Sequence, residues 1–367
     1  MIIEQHIIRS VVPANLNRDD RGAPKQATFG GHRRSRVSSQ ALKRAARRAF
    51  TEYGLDSENL GVRTRLVGVE VAKRLGQRNP EEAANAAQRA LENLDVSTDS
   101  GTGGKSAYLL FLGADALDEF AAAIDEHWDE LSSAKKLKKA TVKSLTSESL
   151  FGGSPKADIA MFGRMIADLP AHNVDAAVQV AHAISTHAVA GEFDWFTAVD
   201  DLQPENEPGA GMMGTVEFNS ACLYQYSNVD VTQLLANLDK DVDLARQSLA
   251  AFLRAMALEL PTGKQNSMAA HNPPSLVLHT ARRRGQWNLA NAFENPVRAG
   301  RGGIVEESQR RLLNYYHRLS GLFPAQVPQA AWFLSDLDDA EFGDPDPARQ
   351  SNLDELVDLA VEEAFNG

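Results

Sequence analysis

The sequence predicts an α+β fold in which a split β-α-β core is interrupted by an inserted helical lobe. Three observations carry that expectation. β-branched residues open the chain from Ile2 to Val12, as in a strand. A mostly helical stretch follows from about Val62 to His187. Beyond it come an alternating strand in "TVEFNSACLYQYSNVD", a long helix over roughly Val231 to Glu259, and a strand in "PSLVLHTA".

Each element has its own signal. After the first strand, "VPANLNRDDRGAPKQATFGGHRR" clusters Pro, Asn, Asp and Gly, so it reads as a long loop. A helix from Gln40 to about Tyr53 comes next, with Ser38 and Ser39 placed to cap it. The segments "EEAANAAQRALENL", "DALDEFAAAIDEHWDELSSAKKLKKATVKSL" and "VDAAVQVAHAISTHAV" supply the helical lobe. The block "GEFDWFTAVDDLQPENEPGAGMMGTVEF" breaks that pattern with Gly, Pro and acidic residues and reads as an extended, protruding segment. In the strand after it, Val216, Phe218, Ser220, Cys222, Tyr224 and Tyr226 fall on one side. The following helix ends at Pro261. No repeat recurs at a fixed period.

With 367 residues, 43% hydrophobic and 24% charged, the chain has the composition of a globular protein of two or more lobes. No apolar run reaches the roughly 20 residues needed to span a bilayer. "MIIEQHIIRS" has no basic region leading into a long apolar one, so no signal peptide and no membrane partner are expected. Cys222, the single cysteine, excludes an internal disulfide and a multi-cysteine zinc site. It reads as a small core residue on a strand, in a reducing, cytoplasmic setting.

Charge is the informative anomaly. The net charge is −11, yet ten Lys or Arg and two Asp lie between Arg18 and Arg48. That stretch carries a local +8, leaving −19 for the rest, with eleven acidic residues and one Arg from Ser335 to Gly367. On a helical wheel Ala41, Leu42, Ala45, Ala46, Ala49 and Phe50 occupy one half. Lys43, Arg44, Arg47 and Arg48 occupy the other, with Gln40 among them. No acidic residue lies between Arg21 and Arg48 to pair with them. Ser38 and Ser39 sit where a helix N-terminus offers N–H groups to a phosphate. The preceding loop adds Arg33, Arg34 and Arg36, with Gly30 and Gly31 permitting close backbone approach. Together these residues describe a phosphate-binding surface suited to an extended polyanion.

The same residues carry a family resemblance. "NLNRDDRGAPKQATFGGHRRSRVSSQALKRAARR", "AMFGRM", "AHAISTHAV", "FDWFTAVDDL", "MGTVEFNS" and "GKQNSMAAHNP" occur in order along the chain. In them the protein closely resembles the backbone subunit of Cascade, the type I-E CRISPR surveillance complex (the CasC family). The stretch from about 60 to 150 and the acidic tail match less distinctly. The resemblance implies an RNA-recognition-motif, ferredoxin-like palm with an inserted helical fingers lobe and a protruding thumb. It divides the chain into a palm at 1–58, fingers at 59–188, a thumb at 189–214 and the rest of the palm, with the acidic tail, at 215–367. It further implies a subunit that is not an enzyme and needs no cofactor or metal. Its partners would be crRNA, target DNA, further copies of itself and other Cascade subunits, assembled head to tail while each thumb displaces a base of the guide. The guide then reads target sequence by pairing.

Carried over residue by residue, the resemblance implies guide contacts from Arg18, Lys25, Ser38, Gln40, Lys43, Arg44 and Arg47. Arg33, Arg34 and Arg36 would touch RNA or pair with a neighbouring subunit's acidic surface. Met165 would stack near the displaced base, with Arg164 beside it as a phosphate partner. Of Trp195 and Phe196, one would cover a flipped base and the other pack the thumb onto the palm. Met212 and Met213 would lie on the returning limb, against bases or a neighbour. Lys264 and Gln265 would sit in a loop near the nucleic acid.

Several other signals resemble catalysis. "DSGTGGKS" fails as a phosphate-binding loop, because Asp99 stands where the pattern needs the first Gly. Lys105 in that loop remains a candidate contact to target DNA. Asp19 and Asp20 form a carboxylate pair, so a metal-dependent endoribonuclease on the same fold is the alternative reading. Local ion pairs with Arg18 and Arg21 explain the pair equally simply. His182 and His187, read as helical, are five residues apart and so do not share a face for zinc.

Overall fold

The computed structural model describes residues 1–99, 105–133, 145–198, 201, 212–338 and 347–366. The chain forms two compact units, one of Met1–Tyr53, Val178–Val231 and Leu249–Gly367, the other of Gly54–Ala177 and Thr232–Ser248. The helical insertion thus closes at Ala177 and takes in a second stretch at 232–248, where the sequence reading drew it as 59–188.

The first unit is built on a ten-stranded mixed sheet. Its central strand β1 (Ile2–Ala14) is paired antiparallel with β9 (Met212–Asp230) on one side and β10 (Leu276–Arg282) on the other. β11 (Ala330–Ser335) and β12 (Ala348–Arg349) extend the sheet beyond β10. Past β9 follow β7 (Ala183–Ser185), β3 (His32–Val37) and β2 (Gln26–Phe29), while β6 (Val178–Val180) and β8 (Glu192–Ala198) also pair with β9. The helix Val242–Leu258 lies in sequence between β9 and β10, as a split β-α-β core requires.

Both faces of this sheet are covered, which is why β1 is buried along most of its length. Ile8, Cys222, Tyr224, Tyr226 and Leu278 pack with Leu312, Leu313 and Tyr316 of the helix Gly303–Leu322. Ile7 and Val277 pack on the opposite side with Ala257 and Leu356. Polar residues of β1 are therefore buried and must find partners. Glu4 accepts from the Tyr226 hydroxyl (2.8 Å), Thr280 Oγ1 (2.7 Å), the Trp287 amide (2.6 Å) and the Arg282 guanidinium. Arg9 donates to the carbonyls of Ala257 and Leu258, so it caps the helix ahead of Pro261.

Several elements differ from the sequence reading. The stretch read as a long loop contains the β2–β3 hairpin, closed by Gly30 and Gly31 at φ +57° and +76°. Gly30 is required twice, since a Cβ there would lie 1.9 Å from the Glu294 carbonyl oxygen. The basic helix spans Ser39–Arg48 and loosens into turns before Gly54, shorter than the expected 40–53. "VDAAVQVAHAISTHAV" is not helical: it supplies β6 and β7, whose pairing with β9 outweighs the helix propensity of alanine. The expected helix from Val231 to Glu259 is broken into Val231–Asn237 and Val242–Leu258, because Asp239 and Lys240 adopt left-handed backbone at φ +51° and +67°. The acidic tail ends in an ordered helix, Leu353–Asn366, which buries Leu356, Val357, Ala360 and Ala364; residues 339–346 of that tail lie outside the described set.

In the second unit, Val71, Ala87, Leu91, Leu117, Phe120 and Ile124 join one apolar core of helices, beside a two-stranded sheet of β4 (Gly61–Thr64) and β5 (Leu110–Gly113). The helix Pro80–Asn93 starts where Asn79 Oδ1 accepts from the amides of Glu81 (3.0 Å) and Glu82 (3.3 Å). Among the described residues no helix is long and apolar enough to cross a membrane.

Candidate nucleic-acid interface

The wheel drawn from the sequence is realised in the helix Ser39–Arg48. Leu42 and Ala46, with Ala49 and Phe50 just beyond, are buried, whereas Arg44 and Arg48 are exposed. Lys43 and Arg47 are half-buried. Ser38 is itself buried, and its Oγ accepts from the Ala41 amide at 3.4 Å. Its own amide donates to Asn17 Oδ1 at 2.9 Å. Ser38 thus helps to build the helix start. Gln40 is exposed at the same end.

Beside this helix the first unit holds an open groove of about 830 Å³. Arg18, Arg21, Lys25, Arg33, Arg36 and Lys264 line it together with Gln26, Phe193 and Glu217. A second hollow of about 750 Å³ shares Arg18 and Asp19 with it and reaches Arg44 and Arg48. Among the described residues, Arg18, Lys25, Arg33, Arg44 and Lys264 enter no ion pair. So many unneutralised cations around one concavity concentrate positive potential there, despite the acidic whole. Arg36 is held by geometry: its Nε donates to the Gln26 carbonyl at 3.3 Å and its Nη1 meets His182 Nδ1 at 2.9 Å. Burial first, then Arg36 and Lys25, pushes the His182 imidazole below its ordinary range, so it stays neutral and accepts from Arg36.

Arg34 and Arg164, both predicted phosphate contacts, are engaged by backbone carbonyls. Arg34 is fully buried. It donates to the carbonyls of Ser185 (3.0 Å), Thr186 (2.9 Å), Phe293 (2.7 Å) and Glu294 (3.0 Å). It ties the hairpin to the sheet and offers nothing outward. In the second unit, Arg164 Nε donates to the His172 carbonyl at 2.9 Å, and its other nitrogens reach the carbonyls of Phe111 (3.4 Å) and Phe151 (3.3 Å). Burial lowers its pKa. Arg164 also braces its neighbour: paired backbone bonds with Val174 hold the segment, and Met165 stands 84% exposed.

The protruding segment is a two-stranded ribbon of β8 and the first half of β9. Facing residues share a side, so Phe193, Trp195 and Thr197 lie with Glu217, Thr215 and Met213. Phe196 lies on the other side over Gly214, where a Cβ would meet its ring at 2.6 Å. Phe196 therefore packs within the ribbon, while Trp195 is 66% exposed and Met212 and Met213 are 61% and 62% exposed. Residues 199–200 and 202–211 lie outside the described set.

The remaining candidates divide cleanly. Lys264 reaches the groove, but the Gln265 amide donates to the carbonyls of Pro261 (3.4 Å) and Ala270 (3.2 Å) and serves its own loop. Asp19 Oδ1 accepts from the amides of Arg21 (2.9 Å) and Ala23 (3.0 Å), so this carboxylate shapes the turn. Asp20 is exposed. Among the described residues no cluster of three or more His, Cys, Asp or Glu is placed to hold a metal. Gly101, Gly103 and Gly104 of the glycine loop lie outside the described set; flanking Asp99 pairs with Arg65, and Lys105 is exposed. His182 and His187 lie outside any helix, in the segments flanking β7, correcting the helical reading; His187 Nε2 accepts from the Cys222 amide at 3.1 Å. Phe193 was missed by sequence reasoning, although the alternation of Phe193 and Trp195 signals two exposed rings on one strand face.

Comparison with known proteins agrees with this geometry. The family model described as "CT1975-like protein" matches residues 3–359. A solved chain from a "CRISPR RNA-guided surveillance complex, pre-nicking" superposes with a TM-score of 0.87 at 32% identity, covering 100% of both chains. A chain from another "CRISPR RNA-guided surveillance complex" superposes with a TM-score of 0.77 at 27% identity, covering 99% of this chain and 100% of its own. No curated protein matches. The chain belongs to the CT1975-like protein family, and the resemblance to Cascade backbone subunits read from its motifs stands.

Proposed function

We propose that this protein is a non-catalytic backbone subunit of a type I-E CRISPR surveillance ribonucleoprotein. Its first unit acts as the palm, its helical unit as the fingers and the β8–β9 ribbon as the thumb. The palm holds the sugar–phosphate backbone of a guide crRNA, and copies follow one another head to tail along it. Each thumb displaces a base and leaves the intervening guide segment ready to pair with target DNA. The observation that carries this reading is the groove of unneutralised cations at Arg18, Lys25, Arg33 and Lys264, continued by Arg44 and Arg48. A polyanion is the ligand such a surface favours, and a single strand lets the backbone follow a curved groove. The commitment of Asp19 to its own turn favours a binding role over hydrolysis.

The test is the salt dependence of single-stranded RNA binding. Arg33→Ala with Arg36→Ala should lower the logarithmic salt slope by about 0.7 per lost contact. An unchanged slope would mean that these side chains face water in the complex. Incubating the assembly with guide, complementary RNA and Mg²⁺ tests the nuclease alternative. Regularly spaced cuts that disappear in Asp19→Ala or Asp20→Ala would overturn the non-catalytic reading.

A further inference from the structure

Phe193 is the one aromatic ring in the lining of the cationic groove among the described residues. It is 69% exposed, on the ribbon face it shares with Trp195. Trp195, also exposed, does not line the groove, and Phe196 is turned onto Gly214. A large ring left in water beside Arg18, Lys25, Arg33, Arg36 and Lys264 contributes nothing to the core and lies within reach of whatever the cations hold. Directly opposite it on β9 stands Glu217, whose carboxylate lies over Gly191. A carboxylate repels phosphate, so the ribbon end of the groove disfavours the backbone that the arginine end attracts. An elongated ligand with an anionic edge and flat, uncharged rings fits this division.

We propose that Phe193 is a stacking platform for a nucleobase of the strand whose phosphates occupy the groove. The inference rests on the RNA-binding reading and adds a contact within the same site. Stacking on one face of the ring is indifferent to base identity, as a subunit that must accept any guide requires. It also fixes the strand's orientation, with bases toward the ribbon and phosphates toward Arg33 and Arg36.

The experiment compares two fluorescent single-stranded RNAs of equal length, one normal and one carrying consecutive abasic sites. Each is titrated by anisotropy against the full chain, Phe193→Leu, Phe193→Trp, and the double variant Arg33→Ala with Arg36→Ala. Loss of one stacked base corresponds to about 1–3 kcal/mol, or roughly a 5- to 150-fold loss of affinity. Phe193→Leu should show that loss on the normal strand, show none on the abasic strand, and keep the wild-type salt slope. Phe193→Trp should bind like wild type. Equal binding of wild type and Phe193→Leu to the normal strand, while the arginine variant is weakened, would overturn the stacking inference alone. Failure of wild type to bind, or indifference to the arginine substitutions, would overturn the RNA-binding reading and this inference with it.

Discussion

Two regions of the first unit handle charge in opposite ways. In the sheet interior every cation has a fixed partner: Arg282 has Glu4, Arg9 the carbonyls ending a helix, and Arg34 four carbonyls. In the groove Arg18, Lys25, Arg33 and Lys264 have no ion-pair partner among the described residues. Arg33 and Arg34 are consecutive in one strand and belong to different regions, since neighbouring side chains point to opposite faces. Burial makes an arginine structural, because its desolvation must be offset by bonds that leave nothing for a ligand. Exposure keeps its charge available.

Acid should strain the interior most. His6 Nδ1 lies 2.9 Å from the Tyr224 hydroxyl, which accepts from the Leu289 amide (2.9 Å). His279 lies 3.0 Å from the Gln5 side-chain nitrogen and 3.3 Å from the Leu356 carbonyl, an arrangement for a neutral ring. Burial pushes both imidazoles down to about 4. The unfolded chain then binds more protons than the folded one between about pH 6.5 and 4, so stability falls as pH falls through that window. The expected loss is roughly 3 kcal/mol per histidine by pH 4, read from urea midpoints. A flat profile there would show that the interior tolerates charge as the groove does.

Arg34→Met comes next. It strands four carbonyls, three of them buried, and should cost roughly 3–5 kcal/mol of stability. Arg33→Met should change stability by less than about 0.5 kcal/mol. Equal melting temperatures for the two variants would erase the distinction. The smallest effect belongs to a third arrangement, in which Arg254 pairs with the exposed Asp354 (2.9 Å) and Asp358 (3.2 Å) on the last helix. Asp358→Asn should cost below about 1 kcal/mol, and less still in high salt.

This contrast also explains how much could be read in advance. β1, β9 and β10 were legible from their runs of β-branched and aromatic residues, and the two-faced helix because its burial and exposure repeat with the helical period. β6 and β7 were not: three-residue strands leave too little alternation, and alanines in "AHAIS" carry no directional signal. The break at Asp239 and Lys240 depends on backbone angles that neither residue type demands. In the site, the clustering of positive charge was visible along the sequence. Which arginine faced inward was not, because the carbonyls that capture Arg34 come from segments more than a hundred residues away.

β9 runs unbroken for 19 residues, roughly 60 Å, from the ribbon into the centre of the sheet. Its phase is set where Cys222 to Asp230 pair with β1, and the same phase decides which side of the ribbon carries Met213 and the ring opposite Glu217. Inserting one residue between Gly214 and Asn219 would exchange the ribbon's two sides without touching the sheet, whereas inserting two would restore them. Length changes in this limb are therefore constrained by parity: the sheet meters the surface that the ribbon displays.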